Sequence, residues 1–211
     1  MLSQVYRRPP RRLLVLVMSL VIMALVVGTA AAKSRKFEFN MVRSTAATAA
    51  KCLPQAEGEV KVTELGPVEI LDLEVEHLVP NTTYSFFVIQ VPDKPFGIGW
   101  YNGEVETNAA GKGKQRFIGR FNDETFAVAP GVAPAPVIDT VSPFPDAAQN
   151  PAFNPVHTFH LGLWFSDPQD AAKAGCTDAV TPFDGDHIAG IQVLSTRQFA
   201  PDQGPLRKVS P

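Results

Sequence analysis

The chain has 211 residues, 45% of them hydrophobic, and a formal net charge of −2. Arg7, Arg8, Arg11 and Arg12 precede residue 33 and no acid does, so residues 33–211 carry −6. A mildly acidic body has no basic stripe to neutralise phosphates, which excludes nucleic acid as the expected partner, and its size suits one well-packed domain.

In chain order, the four arginines lead into an uncharged apolar run from Leu13 to Val27 that Gly28 breaks, and Ala30 and Ala32 follow at the small-residue spacing a signal peptidase reads. We expect a signal peptide over residues 1–32 and a secreted mature chain. The alternative is an uncleaved helix over residues 13–32, since about twenty apolar residues span a bilayer; the remainder would then be a membrane-anchored extracytoplasmic domain. Export changes the meaning of the two cysteines. An even count outside the reducing cytosol implies pairing, so Cys52 and Cys176 are the expected disulfide.

Residues 33–57 read as an N-terminal segment with a first strand in "KFEFNMV", where Phe37, Phe39 and Met41 alternate with Lys36, Glu38 and Asn40. Residues 58–211 read as the domain proper. "EVKVTEL" alternates through Val60 and Val62, whereas in "PVEILDLEVEHL" the apolar phase slips between Ile70 and Leu71 and predicts a bulge. "YSFFVIQV" is apolar on both faces, as a strand buried between layers requires. "GEVETN" and "KQRFIGRF" flank "NAAGKG", a hairpin loop whose glycines suit positive φ. "ETFAVA", "VHTFHLGLWF" and "GIQVLSTRQF" complete eight or nine strands. Between the last two, "SDPQDAAKAGC" predicts one short helix, with Asp167 as cap, Pro168 at the first helical position and Gly175 at the end. Seven prolines between Pro130 and Pro155 predict a long, stiff surface loop.

The pattern Leu78-x-Pro80-x-Thr82-x-Tyr84 resembles the tyrosine corner of fibronectin type III and related immunoglobulin-like domains, and this resemblance implies a tyrosine hydroxyl reaching back to upstream backbone. With the strand pattern, it leads us to expect an all-β, immunoglobulin-like antiparallel sandwich. The mature chain as a whole resembles uncharacterised secreted proteins of high-GC Gram-positive bacteria, which implies no particular activity.

Chemistry is sparse. No G-x-S-x-G and no H-E-x-x-H is present. Of four histidines, His157 and His160 lie in opposite strand phases and are expected on opposite faces. A metal-dependent secreted enzyme, redox or hydrolytic, is the rival reading; it would need His157, His160 and His187 to converge with Asp184 and Asp186 of "FDGDH". Phe96, Trp100 and Tyr101 in "PFGIGWYNG" form the candidate partner surface, since loops rich in aromatics often carry recognition. The leading expectation is a secreted, non-enzymatic module without a cofactor, binding an extracellular protein or an envelope polymer.

Overall fold

The computed structural model describes residues 34–94, 96–97, 99–121, 158–181 and 188–209. The expected signal peptide, the "ETFAVA" strand, the proline-rich stretch from Pro130 to Pro155, and "FDGDH" lie outside the described residues. Among the described residues, no helix is long and apolar enough to cross a membrane.

The described chain is mostly antiparallel β-structure. Its strands are β1 (Lys36–Arg43), β2 (Glu57–Glu64), β3 (Glu69–Glu76), β4 (Thr83–Ile89), β5 (Gly99–Glu106), β6 (Gly113–Gly119), β7 (His160–Phe165) and β8 (Gln192–Ser195). Two stacked sheets were expected. Instead the eight strands join one sheet in the order β5-β4-β7-β8-β1-β2-β3-β6. The physical reason lies in β1 and in the β5–β6 hairpin. Lys36 to Met41 of β1 pair with β2, while Val42 and Arg43 pair with β8, so a single strand turns the sheet from one face to the other. The two end strands, β5 and β6, are consecutive in the chain and meet at the Thr107–Gly113 bridge, which leaves the sheet nearly closed and barrel-like.

Side chains fill the space between the two faces. Met41, Val60, Val62, Leu71, Leu73 and Phe117 from one face meet Tyr84, Phe86, Val88, Leu161, Leu163 and Phe165 from the other. β4 is buried on both faces from Tyr84 to Ile89, as its unbroken apolar sequence predicts. Its outward residues Phe87 and Ile89 join Phe96, Trp164 and Ala189 in a second apolar cluster.

β3 corrects the expected bulge. It pairs in unbroken register with both β2 and β6, and its burial alternates strictly, with Glu69, Leu71, Leu73 and Val75 inward. The slip arises because Glu69, only 2% exposed, takes the inward position where an apolar residue was sought. Its Oε2 accepts the Phe121 backbone N–H at 2.9 Å. Ile70 turns outward instead, opposite Ile118. Register irregularities occur elsewhere, between Phe86 and Phe87 against β5 and between Leu163 and Trp164 against β8.

The outward residues of β3 and β6 pair their charges. Arg116 grips Asp72 through two bonds of 2.7 and 3.0 Å, and Lys114 and Lys112 pair with Glu74 and Glu76. The Arg116 guanidinium holds the Asp72 carboxyl below its ordinary pKa. This is a solvated face.

Among the described residues there are two short helices where one was expected, α1 (Thr45–Ala49) and α2 (Pro168–Lys173), with a 3₁₀ turn at Pro205–Lys208. α2 has the expected ends, since Asp167 Oδ1 accepts the Gln169 N–H at 2.7 Å and Gly175 closes it at φ +75°. α1 was not anticipated. Five residues are too few to show an apolar period, and the helix exists because Ser44 caps it, its hydroxyl accepting the Ala47 N–H at 3.0 Å.

Candidate functional site

α1 docks against β8 through Ser44, which is fully buried. Its hydroxyl donates to the Gln192 carbonyl and its N–H to the Val193 carbonyl, the latter at 2.8 Å. On the helix's other side, Thr45 Oγ1 donates to Asp93 Oδ1 at 2.6 Å, tying α1 to the loop after β4. That loop folds back on itself: the Val91 N–H donates to the Phe96 carbonyl at 3.0 Å, and Gly97 supplies the φ of +68° that the return needs.

The Cys52–Cys176 disulfide, with Cα atoms 5.2 Å apart, joins the chain just after α1 to the chain just after α2. From Cys176 the chain runs to Thr181, whose N–H donates to the Ala189 carbonyl at 2.7 Å. Between α1, the loop at Asp93 and the segment at Thr181 lies a pocket of about 270 Å³. Its floor includes Ile191 and Gln192, and its walls include Ala46, Ala49 and Phe96. Lys94 and Asp93 stand at its polar side. Gln192 is 2% exposed, and its Nε2 has no hydrogen-bond partner among the described residues.

Behind the pocket, the outer cluster is tightly built. Trp164 meets Phe87 and Phe96 edge to face, with ring centres 5.3 and 5.1 Å apart. Its indole lies over Gly162, where a Cβ would collide with the Trp164 ring and crowd the Gln192 amide. The aromatic triplet expected to form one surface is divided. Phe96 is buried in this cluster, and Tyr101, 44% exposed, packs on Phe87 from the same side. Trp100 faces the other way, stacked on Phe121 at 5.8 Å and packed against the barrel core. Strand alternation separates neighbours at 100 and 101.

The corner residues come together. The buried Tyr84 hydroxyl accepts the Val79 N–H at 3.0 Å, Thr82 Oγ1 donates to the Pro80 carbonyl at 3.0 Å, and the Leu78 N–H donates to the Gly111 carbonyl at 3.1 Å. Burial pushes the Tyr84 hydroxyl pKa well up, and the Val79 bond opposes that shift. This corner is structural.

Of the residues considered for a metal, His157, His187, Asp184 and Asp186 lie outside the described residues. His160 is fully buried. Its Nε2 lies 3.2 and 3.0 Å from the Ala200 and Pro201 carbonyls and must carry the proton, so Nδ1, 2.9 Å from Thr196 Oγ1, accepts from that hydroxyl. With both nitrogens engaged, the ring latches the C-terminal segment to β7 and has no lone pair left for a metal. Burial holds its pKa below the ordinary histidine value, against the raising effect of the carbonyl bonds.

A different group could hold a cation. Glu57, Glu76 and His77 offer ligand atoms within 4.8 Å of one another. Glu57 and Glu76 are register partners, and His77, at φ +59°, swings its Nε2 to 3.7 Å from Glu57 Oε1. They border an open trough of about 690 Å³. Lys112, 2.7 Å from Glu76 Oε1, already balances one of the two carboxylates.

Sequence reasoning missed the pocket because α1 and the Gln192 amide form it. The one available signal was Ser44-Thr45 ahead of an alanine run, a helix start without a long helix behind it. Comparison with known protein families and with curated proteins finds no match to this chain.

Proposed function

We propose that the chain is a non-enzymatic, extracytoplasmic binding domain that holds its partner, an extracellular protein or an envelope polymer, on the outside of the barrel at the pocket beside Gln192. One observation carries this reading: the barrel interior is filled by Tyr84, Phe86, Phe117, Phe165 and their aliphatic neighbours, while the outer face presents a walled pocket with apolar lining and a few converging polar groups. Binding sites commonly take that form. The disulfide that joins the chain after α1 to the segment leading to Thr181 supports an oxidising location. The buried histidine supports a non-catalytic role, because its two nitrogens already serve the fold.

The test is retention of extracellular proteins and envelope polymer fragments by the immobilised full chain, compared with Ala49→Trp. Ala49 is exposed and lines the pocket, so tryptophan there fills the site without disturbing the core. Partners retained by the wild type and released by the variant are the expected result. Equal retention by both proteins, or substrate turnover abolished by one side-chain change elsewhere, would overturn the proposal.

A further inference from the structure

At about 270 Å³, the pocket falls below the range of about 300–1000 Å³ that accommodates drug-sized molecules. It suits one small group, or the last unit of a longer chain. Three features narrow the chemistry. Gln192 lines the pocket, is 2% exposed, and has an amide nitrogen without a partner among the described residues; a buried amide in that state is an unmet hydrogen-bonding group that a ligand would satisfy. Lys94 is exposed at the pocket and makes no ion pair among the described residues. Ala46, Ala49, Phe96 and Ile191 supply the pocket's apolar lining.

We propose that the pocket receives the carboxy-terminal residue of a peptide chain. The side chain of that residue is small and apolar and lies among Ala46, Ala49, Phe96 and Ile191. Its free carboxylate pairs with Lys94, and its last peptide group meets the Gln192 amide. A peptide group both donates and accepts, so it satisfies that amide whichever way the amide is turned. A free amino acid brings the same carboxylate but has no peptide group for Gln192. This inference rests on the pocket being the recognition site.

Isothermal titration of the full chain with tetrapeptides ending in Ala, Val, Leu or Phe, each as free acid and as C-terminal amide, tests it. At least one free acid is expected to bind, and its amide to bind about ten-fold more weakly, the loss typical of one charge-assisted contact. Lys94→Met, a change at an exposed position, is expected to weaken the free acid by the same factor and to leave the amide unaffected. Free alanine, valine, leucine and phenylalanine are expected not to compete. Equal affinity of acid and amide, indifference to Lys94→Met, competition by a free amino acid, or no binding by any peptide would each overturn the inference. A partner that Ala49→Trp releases but no tetrapeptide displaces would remove this inference and leave the pocket's role standing.

Discussion

The Tyr84 hydroxyl accepts the Val79 backbone N–H at 3.0 Å, and the Tyr84 ring, fully buried, packs on Phe165 with ring centres 4.9 Å apart. The first contact is polar and the second apolar, so they can be removed separately. Tyr84→Phe keeps the ring and strands the Val79 donor, at an expected cost of about 1 to 3 kcal/mol. Tyr84→Ala removes both and should cost roughly 3 to 5 kcal/mol. Urea denaturation at unchanged m-value checks the ranking. A phenylalanine variant as stable as wild type would contradict the role of the hydroxyl.

The corner, the helix at Pro168 and the disulfide were legible in the sequence because each is local or forced. Asp167-Pro168 and Gly175 mark helix ends by their own chemistry, and two cysteines outside the cytosol have one pairing. Sheet closure was not legible. It depends on β1 dividing its pairing between β2 and β8, and no periodicity within "KFEFNMV" records which neighbour a residue bonds. Glu69 misled for a related reason, since hydropathy cannot register that a backbone N–H from residue 121 awaits its carboxylate. The pocket was hidden because its polar floor, Gln192, reads in the sequence as an ordinary outward strand residue.

Gly162 offers a packing test. A methyl group there would collide with the Trp164 indole and crowd the Gln192 amide. Gly162→Ala is expected to destabilise by about 1 to 3 kcal/mol through overpacking. Shrinking the indole in the double variant Gly162→Ala with Trp164→Leu should cost less than the two single changes added together. Strict additivity in urea midpoints would show that the two positions do not touch.

His160 predicts an acid-side loss of stability. Burial lowers its folded pKa below the unfolded value of about 6.5, so the unfolded chain binds the proton more readily. The contribution is fully present above about pH 6.5 and is lost as pH falls through the folded pKa. Asp72 and Glu74, also held low in the fold, have the same sign but act further down, below the ordinary carboxylate range of about 4. Thermal unfolding between about pH 7 and pH 5 should show a slope that His160→Gln flattens. An unchanged slope in that variant would exclude His160 as its source.

Because the disulfide joins the chain after α1 to the segment leading to Thr181, and both α1 and that segment line the pocket, reduction is expected to act on two readouts. Intact-mass measurement with alkylation should find no free thiol before reduction and both cysteines modified afterwards. Reduction should lower unfolding free energy by about 2 to 4 kcal/mol and weaken partner binding. Two alkylated cysteines in the protein before reduction would contradict the bridge.

The central claim, recognition on the outside of a filled barrel, is tested most directly by recording amide proton–nitrogen spectra of the labelled full chain with and without a retained partner. Shifts are predicted at Thr45, Ala46, Ala49, Phe96, Thr181 and Gln192, which line the pocket, with the core amides of β2 and β3 unmoved. Shifts centred instead on Glu57, Glu76 and His77, or on the inward residues of the barrel, would contradict it.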